Sequence, residues 1–327
     1  MISTRTLGIA AGIAGSLLMG GAANAQEQLK FAHVYESSEP YQKWALWAAE
    51  QIAERTDGRY TMEVYPASSL GKESDINQGL TLGTVDIIYT GTAFAGNYYG
   101  PLAIAGAPYI FSGFDHWQSY KDSELFDELA EGYKEKTGNK IVGMTYYGER
   151  HVTANKPIRT PEDMKGLKIR VPDAPLYLMF PKGVGANAAP IAFAEVYLAL
   201  QTGTVDAQEN PLPTILAKKF YEVQDTINLT GHITESLITV IGAPLWNRLS
   251  DEDKTIFTEI FKEAAAKATD DVREAEDRLR TEFVTMGETV ITDVDREAFR
   301  AALQPSLTGP SATWTKEQYD RLQALAN

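Results

Sequence analysis

The chain has 327 residues, no cysteine and a formal net charge of −14 at pH 7. This length allows two domains with substantial cores, and the lack of cysteine excludes disulfides, cysteine nucleophiles and cysteine-based metal sites. An acidic chain without clustered lysines and arginines is also unsuited to nucleic acid, so a site for an anion would need its own local arginines.

Residues 1–25 have the pattern of a secretory signal peptide. Arg5 gives a basic start, residues 7–19 form an apolar core rich in glycine and alanine, and Ala-Asn-Ala at 23–25 fits the A-x-A rule for cleavage. The apolar run is too short to span a membrane. We therefore predict export to the periplasm, cleavage after Ala25 and a soluble, monomeric mature protein.

Strands and helices alternate in the first half of the mature chain. The predicted strands are 29–34, Tyr60–Tyr65 and 85–89; the predicted helices are Glu73–Leu82 and one that begins after Pro40 and ends at Thr56-Asp57-Gly58. This β-α-β-α-β order predicts an α/β domain with a parallel-type sheet.

The second half continues the alternation and then changes character. The predicted elements are a strand at 140–147, a short helix from Pro161, a strand at 167–171, a helix at 193–202 and a strand from Val205 to Pro211. From Ser250 onward, apolar residues recur at helical spacing, and no glycine or proline occurs between 251 and 286. A helix of this length is either a kinked pair or a strut that crosses two domains.

Two polar side chains lie at predicted strand ends. Arg170 closes a short strand that Pro172 stops, and Asn210 closes the next strand before Pro211. Because strand ends form binding crevices in α/β sheets, we expect this guanidinium and this amide to face one crevice. The arrangement suits a carboxylate.

The stretch 166–211 resembles the solute receptors of TRAP (tripartite ATP-independent periplasmic) transporters, the DctP-type family. In that family an arginine in a K-[IL]-R-V-P strand pairs with the ligand carboxylate, and an asparagine in D-[GA]-Q-E-N-P adds a polar contact. Arg170 and Asn210 match these positions. A second family motif, G-x-R-x-x-T-x-N, matches from Gly148, and the resemblance implies a ligand contact for Arg150, which we expect in the loop just beyond strand 140–147.

This resemblance extends from about Leu29 to the C-terminal helix and implies a fold. We expect an α/β, two-lobed periplasmic binding protein fold, type II-like, with a long helix spanning both lobes. Lobe I would comprise residues 26–147 and 236–275, and lobe II residues 148–235 and 276–327. Ligand binding would close the lobes in the manner of a Venus flytrap.

The other candidate ligand residues lie mostly in lobe I. His33 ends the first strand, Glu73 begins a helix, and Thr92 follows the third strand, which Tyr89 ends. Phe193 is expected in the core or on the pocket floor. A carboxylate such as Glu73 in the pocket would favour hydroxyl or ammonium groups of a ligand over a second carboxylate.

Enzyme motifs are missing from the sequence. H-E-x-x-H, G-x-S-x-G and Walker A patterns do not occur, and the four histidines have no metal-ligand spacing. We therefore expect no catalytic residues, no metal and no cofactor.

The expected function is a periplasmic receptor that delivers a small organic acid to TRAP membrane subunits. Sialic-acid receptors, among the most similar members, place a glutamate and an arginine where this chain has Gly91 and Phe94, so a different ligand is expected. A uronate-sized sugar acid such as glucuronate or galacturonate fits best. A C4-dicarboxylate or other carboxylate receptor, a periplasmic sensor module and a secreted lyase or hydrolase remain alternatives.

Overall fold

The computed structural model describes residues 26–326. Its strands join in one mixed sheet with the order β2-β1-β3-β8-β4-β7-β5-β6, and β9 pairs with β8. The strands are β1 (Glu27–Ala32), β2 (Tyr60–Tyr65), β3 (Ile87–Gly91), β4 (Lys140–Ala154), β5 (Lys168–Val171), β6 (Asn187–Pro190), β7 (Ala207–Pro211), β8 (Thr226–Ile241) and β9 (Thr289–Ile291).

Helices pack against this sheet. They are α1 (Pro40–Arg55), α2 (Glu73–Leu82), α3 (Thr92–Ala95), α4 (Phe114–Lys121), α5 (Glu124–Thr137), α6 (Pro161–Met164), α7 (Met179–Gly183), α8 (Val196–Gln201), α9 (Leu212–Ala217), α10 (Ala243–Arg248), α11 (Asp251–Thr285), α12 (Arg296–Leu307) and α13 (Lys316–Gln323). Short 3-10 helices lie at Gly100–Gly106, Pro175–Leu178, Phe193–Glu195 and Phe220–Val223. No described helix is long and apolar enough to cross a membrane.

The sheet divides into two lobes. The first lobe contains β1, β2 and β3, in which β1 lies between the other two and is parallel to both. The second lobe contains β5, β6 and β7, and β5 is parallel to both of its neighbours. The predicted parallel-type opening and the predicted bounds of β2 and α2 are confirmed.

Two long antiparallel strands connect the lobes. β4 and β8 pair along their length, while β3 flanks this pair in the first lobe and β7 flanks it in the second. The prediction that the fourth strand ends at Tyr147 is wrong, because β4 continues to Ala154. Gly148, at φ +117°, sits in a register shift of the ladder rather than in a turn, so Arg150 lies in the strand and not in a loop beyond it.

Helix α11 is continuous over 35 residues and contacts both lobes. The hydroxyl of Ser250 caps it by accepting from the backbone N–H of Asp253 at 3.0 Å. Near the lobe crossing, the buried carboxylate of Glu276 accepts hydrogen bonds from the Tyr146 hydroxyl at 2.9 Å and from the Glu149 backbone N–H at 2.6 Å. The helix is therefore the predicted single helix that crosses both lobes, and it is hydrogen-bonded to β4 where that strand passes between the lobes.

The C-terminal helices pack on different lobes. α12 contacts α7 of the second lobe, whereas α13 contacts α5 of the first. Arg321 forms a bidentate ion pair with Glu128 at 2.7 and 2.8 Å, and His116 Nε2 lies 2.8 Å from the carbonyl oxygen of Leu322. The predicted lobe boundaries remain a prediction, and these contacts favour assigning α13 to the first lobe.

Candidate functional site

A cavity lies between the lobes, beside the crossing strands. The cavity is small, with a volume of about 40 Å³. Its lining residues are Val34, Tyr35, Lys72, Glu73, Ser74, Gly91 and Phe94 from the first lobe, Tyr147, Arg150, Glu235 and Leu237 from the crossing strands, and Arg170, Pro172, Asp173, Tyr177, Ala192, Phe193 and Asn210 from the second lobe.

Arg170 presents a buried cation to this cavity. Its Nε and Nη2 donate to the carbonyl oxygen of Ile191 at 2.9 and 2.7 Å, which fixes the plane of the guanidinium. Its Nη1 is buried and has no hydrogen-bond partner among the described residues. Burial lowers the pKa of Arg170 to about 10, so the group is still charged at neutral pH. An unpaired buried donor on a cation is costly, and a ligand carboxylate would satisfy it.

Arg150, in contrast, already has a protein partner. Its Nε and Nη2 bind the carboxylate of Glu209, and its Nη1 lies 3.6 Å from Glu235 Oε2. Burial alone would raise the pKa of Glu209, but the charge of Arg150 and hydrogen bonds from His232 and Arg150 lower it to about 2. Arg150 thus lines the cavity as half of a buried ion pair.

Asn210 lies beside Arg150 at the end of β7. Its Nδ2 donates to Gln208 Oε1 at 2.7 Å, and its Oδ1 accepts from Arg150 Nη2 at 3.3 Å and from the Tyr147 hydroxyl at 3.4 Å. β5 and β7 are parallel, so Arg170 and Asn210 reach the same edge of the sheet. The predicted juxtaposition of these two side chains is present.

Glu73 faces the arginines from the first lobe. Among the described residues, the two hydrogen bonds to its carboxylate both go to Oε1, from the Thr90 hydroxyl and the Gly91 backbone N–H, each at 2.8 Å. This leaves Oε2 to accept from a ligand. Burial raises the pKa of Glu73, while the hydrogen bonds from Gly91 and Thr90 and the charges of Arg150 and Arg170 oppose the rise.

A tyrosine and a glutamate that the sequence did not single out also meet here. The hydroxyl of Tyr177, from the 3-10 turn of the second lobe, donates to Glu235 Oε2 at 2.9 Å. Burial raises the pKa of Glu235 to about 7, although the charge of Arg150 opposes the rise. In the sequence, position 235 marked only the end of a predicted lobe II segment, and no signal marked Tyr177.

Three of the predicted ligand residues do not line the cavity. His33 is buried in the first lobe, where its Nε2 lies 2.9 Å from Gln42 Oε1 and its ring stacks on Tyr35. Burial lowers the pKa of His33 to about 4, so it is neutral at pH 7. Tyr89 packs in the same core against His33, and Thr92 is buried at the start of α3. Tyr35 lines the cavity after β1, where His33 was expected to do so.

The lobes also touch through side chains that do not line the cavity. Lys218 Nζ of the second lobe lies 2.7 Å from Glu36 Oε1 and 5.1 Å from the ring of Phe193. The Thr214 hydroxyl donates to Glu39 Oε1 at 2.6 Å. These contacts tie α9 to the segment before α1, so the two lobes are in direct contact beside the cavity.

Loss of the Lys218–Glu36 pair is expected to shift the protein toward an open form. The pair is partly buried and worth roughly 1 kcal/mol, so Lys218→Ala should weaken ligand binding about fivefold. Calorimetry measures the affinity, and small-angle scattering of ligand-free protein should give a larger radius of gyration. Lys219→Ala, a neighbouring exposed lysine paired with Glu222, is the control. Equal affinity and equal radius of gyration in the two variants would mean that the Lys218–Glu36 pair does not hold the lobes together.

Comparison with known proteins gives consistent matches. A model of the family "Bacterial extracellular solute-binding protein, family 7" (DctP) matches residues 31–310. The chain is 37% identical over 261 residues to the sialic acid-binding periplasmic protein SiaP of Vibrio cholerae, covering 80% of this chain and 81% of that protein. It is 34% identical over 311 residues to a solute-binding protein of Roseobacter denitrificans, RD1_1052, covering 93% of each.

Solved structures give the same result. The R. denitrificans protein RD1_1052, solved with bound L-galactonate, has a TM-score of 0.86 at 30% identity, covering 92% of this chain and 99% of that one. A TRAP periplasmic solute-binding protein from Polaromonas, bound to D-erythronate, has a TM-score of 0.87 at 30% identity, covering 91% and 98%.

Proposed function

This chain belongs to the DctP family of bacterial extracellular solute-binding proteins, and we propose that it captures a sugar acid of about four to six carbons between its lobes. It is a solute receptor and not an enzyme. The acid would then pass to the membrane subunits of a TRAP transporter. Aldonates such as those bound by the relatives from Polaromonas and R. denitrificans, and uronates of similar size, form the ligand class.

The observation that carries this proposal is the free Nη1 of Arg170. It is a buried, charged donor directed by the Ile191 carbonyl, in a cavity where Arg150 is already neutralised by Glu209. One ligand carboxylate would complete its hydrogen bonds. Asn210 and the ring of Phe193 supply further contacts.

The rest of the ligand meets groups that suit hydroxyls. Glu73 and the Tyr177–Glu235 pair offer acceptors to which ligand hydroxyls can donate. A C4-dicarboxylate would place its second carboxylate near one of these glutamates, where like charges repel. The geometry therefore favours a polyhydroxy monoacid over a diacid.

Export completes the proposal. The family is extracellular and the R. denitrificans and V. cholerae relatives are periplasmic. Residues 1–25, which lie outside the described residues, would act as a signal peptide cleaved after Ala25. The mature receptor would then work in the periplasm.

A thermal-shift screen of ligand-stripped protein tests the function. The panel contains aldonates and uronates of four to six carbons, succinate, sialic acid and neutral sugars. We expect the largest rise in melting temperature with one of the hydroxy monoacids, because a bound ligand stabilises the folded state by mass action. Stabilisation by succinate alone, or by neutral sugars as much as by acids, would refute the proposal.

A further inference from the structure

Tyr177 closes one side of the cavity by reaching across the lobes. It lies in the 3-10 turn Pro175–Leu178 of the second lobe, yet its ring centroid is 6.3 Å from that of Phe94 in the first. A Cβ built on Gly91, also in the first lobe, would lie 3.2 Å from the Tyr177 hydroxyl. Tyr177 therefore occupies the space that a side chain at position 91 would need.

Three contacts hold Tyr177 in this position. Its hydroxyl donates to the buried carboxylate of Glu235 at 2.9 Å, and the guanidinium carbon of Arg150 lies 5.3 Å from its ring centroid. The preceding residue, Leu176, lies against Gly106, where an added Cβ would be 3.0 Å from it. Because a hydrogen bond, a cation–π contact and packing all fix the ring, it is a wall of the cavity and not a mobile surface group.

We propose that Tyr177, positioned by Glu235, sets the upper size limit of the ligand. A second aromatic contact between the lobes also borders the cavity, where the ring centroids of Phe193 and Tyr35 lie 6.3 Å apart, so two such contacts limit the space for the ligand. A longer acid must swing Tyr177 outward and leave the Glu235 carboxyl without its donor. This inference rests on the proposed function and adds to it a residue that selects ligands by size.

The free energy needed to displace Tyr177 weakens the binding of long acids relative to short ones. Breaking a buried hydrogen bond to a carboxyl group weakens binding on the order of ten- to a hundredfold. Long acids should therefore bind the wild-type protein at least tenfold more weakly than the preferred short acid, while the short acid leaves the pair intact.

The test is the ratio of dissociation constants for long and short acids, measured by calorimetry. Sialic acid and 3-deoxy-D-manno-oct-2-ulosonic acid are the long probes, and the best four- to six-carbon acid is the short one. Tyr177→Ala should lower the ratio at least tenfold, and Tyr177→Phe, which keeps the ring, should lower it less. Tyr197→Phe removes a Tyr–Glu hydrogen bond of similar length on the same lobe, to Glu222 at 3.0 Å, and should leave the ratio unchanged.

The outcomes separate the inference from the function. A short acid that binds the wild type, with an unchanged ratio in Tyr177→Ala, overturns the inference and leaves the function standing. If long acids bind the wild type as tightly as short ones, the inference is likewise overturned and the function stands. A wild-type protein that binds none of these acids overturns both.

Discussion

Arg170→Lys is expected to weaken binding of the sugar acid by about ten- to a hundredfold while the protein remains folded. The arginine uses Nε and Nη2 on the Ile191 carbonyl and lines the cavity with Nη1 left without a partner among the described residues. A lysine has one ammonium group on a flexible chain and does not reproduce this planar arrangement. A charge-assisted hydrogen bond contributes roughly 1.5–3 kcal/mol, which corresponds to the expected loss. Calorimetry measures the affinity and circular dichroism the fold.

The control for this variant is Arg159→Lys. Arg159 belongs to the same lobe, is exposed, and pairs with Asp293 outside the cavity. The same substitution there should leave the affinity unchanged. If Arg170→Lys binds the acid as tightly as Arg159→Lys, Arg170 does not hold the carboxylate.

Glu209→Gln is expected to lower the free energy of unfolding by about 3–5 kcal/mol at pH 7. Glu209 and Arg150 are both buried, and the change leaves the guanidinium without a counter-charge. The new amide also turns an N–H₂ group toward donors of Arg150. Since the pKa of Glu209 is lowered to about 2, its contribution is complete above the pKa of the unfolded state and disappears only as the pH falls toward 2.

Denaturant unfolding measures this effect, with Glu297→Gln as the control. Glu297 is exposed and pairs with Arg300 one turn along α12, so its loss should change stability by well under 1 kcal/mol. A small effect of Glu209→Gln at pH 7 would mean that Arg150 finds another partner, and that Glu235, 3.6 Å away, is ionised enough to serve.

Local sequence patterns predicted the short strands of the second lobe well. The strand that carries Arg170 alternates in polarity, and both it and the strand that carries Asn210 are short and stop at a proline. The structure pairs these two strands in parallel. The fourth strand was predicted too short because glycine at position 148 looks like a turn. Only its pairing with β8, formed by residues about 90 positions away, shows that Gly148 belongs to a bulge.

The first-lobe side of the site was harder to predict because the regular strand β1 ends at Ala32, so strand alternation no longer fixes the direction of the side chains that follow. His33 and Tyr35 both follow β1, yet the tyrosine reaches the cavity and the histidine enters the core. Tyr177 could not be found from its own neighbourhood. Its role depends on the absence of a side chain at Gly91 in the opposite lobe, which is a contact between distant parts of the chain.

The central claim is that one ligand carboxylate binds at Arg170 between closed lobes. The most direct measurement is a calorimetric titration of the best acid from the screen and of the matching polyol, which has the same hydroxyls and no carboxylate. We expect the wild type to bind the acid at least a hundredfold more tightly than the polyol, and Arg170→Lys to lose most of this preference. Equal affinity of the wild type for acid and polyol, or an undiminished preference in Arg170→Lys, would contradict it.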